Sequence, residues 1–289
     1  MIVLVMPTRF FACFVLMAVL GSFVARPLCA EDRVSVSAAR HDANGFLVHQ
    51  VTSPYQSGTT SVRVLCPDHF DASRKYPAVY VLPVEAQNET RYGDGLLESK
   101  KADLANRYQA IFVEPTFSQL PWYADHPTDP GIRQESYFLK VVVPFIEKEY
   151  PVQTEAGGRL LLGFSKSGWG AYAMLLRHPD LFGKAAAWDA PLMMEWPGKY
   201  GSVPIFGSAE NFSRYQVSRL LEAGAPELRK GKRLILLGYG NFHSEHERAH
   251  AMMAKLHINH VYVDGPKREH TWGSGWLPEA VRYLFATEK

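Results

Sequence analysis

The chain is poor in cysteine. Cys13 and Cys29 fall within the first thirty residues, which leaves Cys66 alone in the remainder. One cysteine closes no internal disulfide and builds no cysteine-rich zinc site, so stability has to come from a packed core. Cys66 itself, ending an apolar stretch, is expected to be a buried small hydrophobe. Charge of one sign is equally scarce. The formal net charge is +2 over 289 residues and there is no long basic run. Residues 1–30 hold Arg9 and Arg26 but no acid and no lysine, so residues 31–289 are balanced in charge. Such a surface gives no electrostatic reason to bind nucleic acid. Internal repeats, low-complexity tracts and Gly/Ser linkers are also missing. A single domain over 31–289 is therefore expected.

What the first thirty residues do contain is an apolar run over 10–24 behind Arg9, closing near Pro27-Leu28-Cys29-Ala30. The pattern reads as a signal peptide over 1–30, cut after Ala30, and so as a secreted or periplasmic protein. A spanning helix needs roughly 20 apolar residues, and Gly21, Ser22 and Arg26 interrupt this run. No membrane span is expected after removal of the signal.

Two strand patterns at 45–51 and 59–66, joined by Ser53-Pro54-Tyr55-Gln56-Ser57-Gly58, predict an antiparallel hairpin. Beyond it, short apolar runs at 78–84, 110–114, 159–164, 185–189, 233–237 and 260–263 alternate with helical patterns at 136–150, 167–178, 212–223, 244–257 and 278–286. Continuous apolar runs suit strands buried on both faces. The expectation is an α/β fold, a mostly parallel central sheet with helices on both faces. In such sheets ligands bind beyond the carboxyl ends of the strands.

At one of those ends stands Gly163-Phe164-Ser165-Lys166-Ser167-Gly168, with an apolar strand before it and an alanine- and leucine-rich helix after it. In a nucleophile elbow the serine sits on a sharp strand-to-helix turn, and small residues two before and two after it let strand and helix approach. Gly163 fits; Ser167 stands where glycine is usual. The N–H of Lys166, at the helix start, would face a developing oxyanion. The plainer reading makes Ser165 a helix N-cap. Against it stands His270, just past the last strand pattern and before the last helix, in the chain order of a serine hydrolase. Its imidazole would take the serine proton and return it.

With these residues the chain resembles the esterase D group of α/β-hydrolases over roughly residues 76–285. The resemblance is carried by Tyr76-Pro77-Ala78-Val79-Tyr80-Val81-Leu82, Pro121-Trp122-Tyr123-Ala124-Asp125, Glu135-Ser136-Tyr137, Arg177-His178-Pro179-Asp180-Leu181-Phe182-Gly183 and His270-Thr271-Trp272. It implies an α/β-hydrolase fold and ester chemistry. It also implies a second oxyanion donor after Leu82, a backbone N–H at Val84 or Glu85. The chain departs from the family at three places. Pro83-Val84-Glu85 replaces a His-Gly loop, and Ser167 replaces glycine. Asn241 stands where the triad acid is usual. Asp189, closing the strand pattern after the elbow helix, is the foremost substitute, with Glu245, Asn241 itself, Asp264 or no working acid at all as alternatives.

His243, Glu245, His246 and His250 share one helix face but match no short zinc motif, and no metal or other cofactor is expected. Trp122, Tyr123 and Trp272 follow strand patterns and are candidates for a substrate wall. The expected function is an exported serine esterase acting on a small-molecule or carbohydrate ester. Ser165 serves as nucleophile, His270 as base and Asp189 as orienting acid, with Lys166 and Val84 at the oxyanion. The rivals are an acyltransferase and a non-catalytic binding protein that uses the same cleft.

Overall fold

The computed structural model describes residues 1–3 and 34–287. Residues 4–30 of the expected signal peptide, and its cleavage point, lie outside the described residues. No described helix is long and apolar enough to cross a membrane.

Ten strands form one sheet: β1 (Ser35–Val36), β2 (Arg40–His41), β3 (Leu47–Thr52), β4 (Thr59–Leu65), β5 (Ala78–Leu82), β6 (Ile111–Pro115), β7 (Arg159–Phe164), β8 (Lys184–Trp188), β9 (Leu234–Tyr239) and β10 (His260–Lys267). The order is β1-β3-β4-β6-β5-β7-β8-β9-β10, with β2 pairing β3 off that path. From β6 onward every neighbour is parallel, whereas β1, β2, β3 and β4 pair antiparallel. The predicted hairpin is β3–β4, in the register Leu47 to Val64 through Thr52 to Thr59.

The strands alternate between two cores, as a pleat requires. Ala78, Tyr80 and Leu82 of β5 enter one, and Val79 and Val81 the other. The first core is roofed by the elbow helix α1 (Lys166–Arg177) and by α2 (Val217–Leu228). The second is roofed by α3 (Leu277–Leu284). Cys66 is only half-buried against the first core, and burial pushes its thiol up to about 11. It is a half-buried thiol rather than the fully buried one expected.

Two helix predictions shift for local reasons. The pattern at 136–150 is a rod that starts at Gln134–Tyr137, passes through a π-helical stretch Phe138–Val142 and ends as Val143–Glu149. Pro144 lacks an N–H and crowds the carbonyl four residues back, which accounts for the altered winding just before it. The pattern at 212–223 splits into a short helix Ala209–Ser213 and α2, which runs on through Pro226.

Strand β7 and helix α1 meet at Gly163. A Cβ there would lie 2.1 Å from the Ser167 carbonyl oxygen and 2.6 Å from the Gly168 nitrogen. Because the obstacle is backbone, Gly163→Ala is expected to cost about 3 kcal/mol or more. That lowers Tm by roughly 6–12 °C. Gly157→Ala, where a Cβ meets nothing within 4 Å, should move Tm little in the same calorimetric scan; equal shifts would contradict the close approach.

Candidate active site

Ser165 occupies the corner between β7 and α1 with φ 54° and ψ −128°. A positive φ is costly for a residue with a Cβ and persists where the surroundings enforce it. Its N–H is held by the Trp188 carbonyl at 3.1 Å, and its side chain makes no cap hydrogen bond. The N-cap reading therefore fails, since the hydroxyl accepts from no N–H of the first helical turn. Ser167, two positions on, is fully buried, and its hydroxyl donates to the Phe164 carbonyl at 2.8 Å and accepts from the Phe164 N–H at 3.0 Å. The substitute for glycine thus fastens the end of the strand to the first turn of the helix.

His270, beyond β10, faces Asp189, at the end of β8. The imidazole Nδ1 donates to Asp189 Oδ2 at 2.5 Å. The other carboxylate oxygen accepts from the backbone N–H groups of Asn241 and Phe242, both at 2.8 Å. Burial works to raise the Asp189 pKa, but hydrogen bonds from His270 and from the backbone at Gly240 and Phe242 outweigh it and hold the carboxyl below its ordinary value. A Cβ on Gly240 would stand 2.6 Å from Asp189 Oδ2, so the loop closes on the carboxylate only without a side chain there.

The other acid candidates are engaged elsewhere. Glu245 accepts from the Met193 N–H at 2.6 Å, and Asp264 pairs with His243 Nε2 at 2.8 Å. Asn241 contributes its N–H to Asp189. The position expected to hold the acid instead cradles it.

The histidine face separates in the same way. His246 Nε2 accepts from the Ala190 N–H at 2.8 Å, and burial pulls its pKa to about 4, so it is a neutral acceptor next to the acid. His250 Nδ1 lies 2.8 Å from His260 Nε2.

Ser165, Lys166 and His270 line one cavity of about 480 Å³, with Arg91, Tyr92, Leu120, Tyr200 and Phe242 on its walls. The imidazole is braced by aromatic rings, with Phe164 at 4.6 Å and Tyr92 at 5.4 Å between centroids. The Lys166 and Val84 N–H groups donate to no backbone acceptor among the described residues. Lys166 borders the cavity shared by Ser165 and His270, whereas Val84 borders a separate cavity of about 40 Å³. The glutamate of that loop is countered: Glu85 Oε1 lies 3.3 Å from Arg91 Nε, and Oε2 accepts from the Tyr92 N–H.

The expected aromatic wall is elsewhere. Trp122 and Tyr123 are fully buried, because Gln134 Oε1 accepts both of their N–H groups at 2.8 Å and pulls the segment under the elbow helix. Tyr123 fills the space over Gly170, where a Cβ would meet its ring at 2.0 Å, and its hydroxyl donates to the Pro83 carbonyl. Trp272 packs edge-on to Trp188 in the second core. These three support the site from behind. Arg91, Tyr92, Leu120 and Tyr200, in irregular segments, line the cavity instead. The one sequence signal for them was Arg91-Tyr92, shortly after the oxyanion loop.

The model of a family described as "Putative esterase" matches residues 53–197. Among curated proteins, esterases MT1326 and Rv1288 of two Mycobacterium tuberculosis strains are each 27% identical over 133 residues. That stretch is 45% of this chain, and this chain spans only 29% of the length of those relatives. Among solved structures, a ferulic acid esterase superposes with TM-score 0.63 at 19% identity, covering 87% of this chain and 96% of that one. An S-formylglutathione hydrolase from Agrobacterium tumefaciens superposes with TM-score 0.65 at 14% identity, covering 86% and 98%. At such identities the likeness establishes the α/β-hydrolase fold, and function has to be argued from the site. With the family model extending over half the sequence on that fold, the chain belongs to the Esterase family.

Proposed function

We propose that the protein is a serine esterase that hydrolyses carboxylic esters through an acyl-Ser165 intermediate. The observation that carries this reading is the Asp189–His270 pair opening onto the same cavity as a serine in a strained turn. With Nδ1–H committed to Asp189, Nε2 is the free, basic nitrogen. It takes the Ser165 proton as the oxygen attacks the carbonyl carbon. The tetrahedral oxyanion is held by the N–H of Lys166, which borders the same cavity as Ser165 and His270. His270 then returns the proton to the departing alcohol. Water repeats the sequence on the acyl-enzyme and regenerates the serine. Export is part of the proposal, resting on the apolar run behind Arg9, and the substrate is a small-molecule or carbohydrate ester.

A fluorophosphonate probe tests the chemistry directly. The intact protein should take up one equivalent at Ser165, located by peptide mass mapping, and His270→Ala should slow labelling at least 100-fold. A folded protein left unlabelled, or labelled at another residue, would remove the hydrolase reading.

A further inference from the structure

Lysine at the first position of the elbow helix places an ammonium in the wall of the cavity next to the nucleophile. Lys166 is only 8% exposed. Its Nζ lies 5.8 Å from the centroid of the Tyr92 ring, and among the described residues no carboxylate comes within ion-pairing distance of it. Glu85 is the acid whose field reaches it; Oε2 of that carboxylate accepts from the Tyr92 N–H, and its buried Oε1 makes no hydrogen bond and has the largely exposed Arg91 guanidinium 3.3 Å away. Burial accordingly pulls the Lys166 pKa below the ordinary lysine value. The cavity lining contains this lysine and Arg91 and no acidic residue. A buried cation with no carboxylate in direct contact is costly, and a binding partner that supplies one is favoured.

We propose that Lys166 serves the site at both ends, with its N–H at the oxyanion and its ammonium binding an anionic group of the substrate. The substrate class is then esters that carry a carboxylate a few bonds from the scissile carbonyl. This deepens the esterase reading and rests on it only for turnover. Both cations lie against the Tyr92 ring, Arg91 Cζ at 4.6 Å and Lys166 Nζ at 5.8 Å from its centroid, so the substrate carboxylate is expected to bind near that ring.

Two pairs of esters test the proposal, each an anion against its methyl-capped, neutral counterpart. 4-Nitrophenyl hydrogen adipate carries the carboxylate on the acyl side, and 3-acetoxybenzoate carries it on the alcohol side. In one pair or both, kcat/KM should favour the anion about tenfold. The ratio should fall to about one in Lys166→Met and in Lys166→Gln. Parity in both wild-type pairs, or a preference that survives both substitutions, overturns the proposal.

Binding of the same esters to Ser165→Ala gives a readout free of turnover, with the same tenfold preference expected in Kd. Parity there sinks the anion site even if wild-type hydrolysis is fast. Selective binding without wild-type turnover keeps the anion site and removes the esterase.

Discussion

Ser165→Ala is expected to lower kcat by about 10⁶-fold, the scale on which a serine hydrolase loses its nucleophile. No neighbour can take over. The hydroxyl two positions on, Ser167, is fully buried and engaged at both its donor and its acceptor by Phe164. The loss should come without unfolding: alanine meets the same positive φ as serine, and the replaced hydroxyl makes no cap hydrogen bond. Although Ser165 is only 5% exposed, Tm is expected within about 1–2 °C of wild type beside vanishing ester turnover, because no cap hydrogen bond is lost. Residual turnover within 100-fold of wild type would move the nucleophile elsewhere.

Asp189→Asn is expected to lower kcat by about 10⁴-fold, because an amide at this position favours the wrong imidazole tautomer. Asn241→Ala should cost less than tenfold, since its backbone N–H, and not its side chain, bonds to the acid. The reverse ranking would return the acid role to the loop after β9. The folded pKa of Asp189 lies below its ordinary value. Its contribution to stability is thus present above the unfolded value of about 4 and is lost as pH falls through the lower folded value. Asp189→Asn should therefore lose stability relative to wild type at neutral pH, with the difference narrowing in acid. Denaturant titrations at pH 7 and pH 3 measure it.

The elbow and the histidine were legible in the sequence because each is a local event: a small-residue spacing around Ser165, and a histidine between the last strand and the last helix. The parallel sheet was legible because its strands are apolar on both faces. The acid was legible only as a choice among Asp189, Glu245, Asn241 and Asp264. The choice turns on which carboxylate finds an imidazole across the sheet, and spacing along the chain does not encode that. The aromatic wall was misjudged for a related reason. Trp122 and Tyr123 follow β6 as cleft residues do, yet Gln134, on a later helix, draws their backbone inward, and Gly170 leaves the vacancy that Tyr123 fills. Two separate segments have to be seen together before either ring can be assigned.

Placing the acid at the end of β8 has a consequence for the loop after β9. That loop supplies Asp189 with main-chain donors from Asn241 and Phe242, while the Phe242 ring faces the cavity. Any residue except proline offers the same N–H. Gly240 has to stay, because its missing side chain leaves room for the carboxylate. At Asn241 the side chain takes no part in holding the acid, whereas the Phe242 ring also packs against the His270 imidazole, 5.6 Å between centroids. Under the proposed esterase chemistry, position 241 is free to vary with the acyl or alcohol group while the Asp189–His270 pair behind it is left intact, which makes it the natural place to retarget the site.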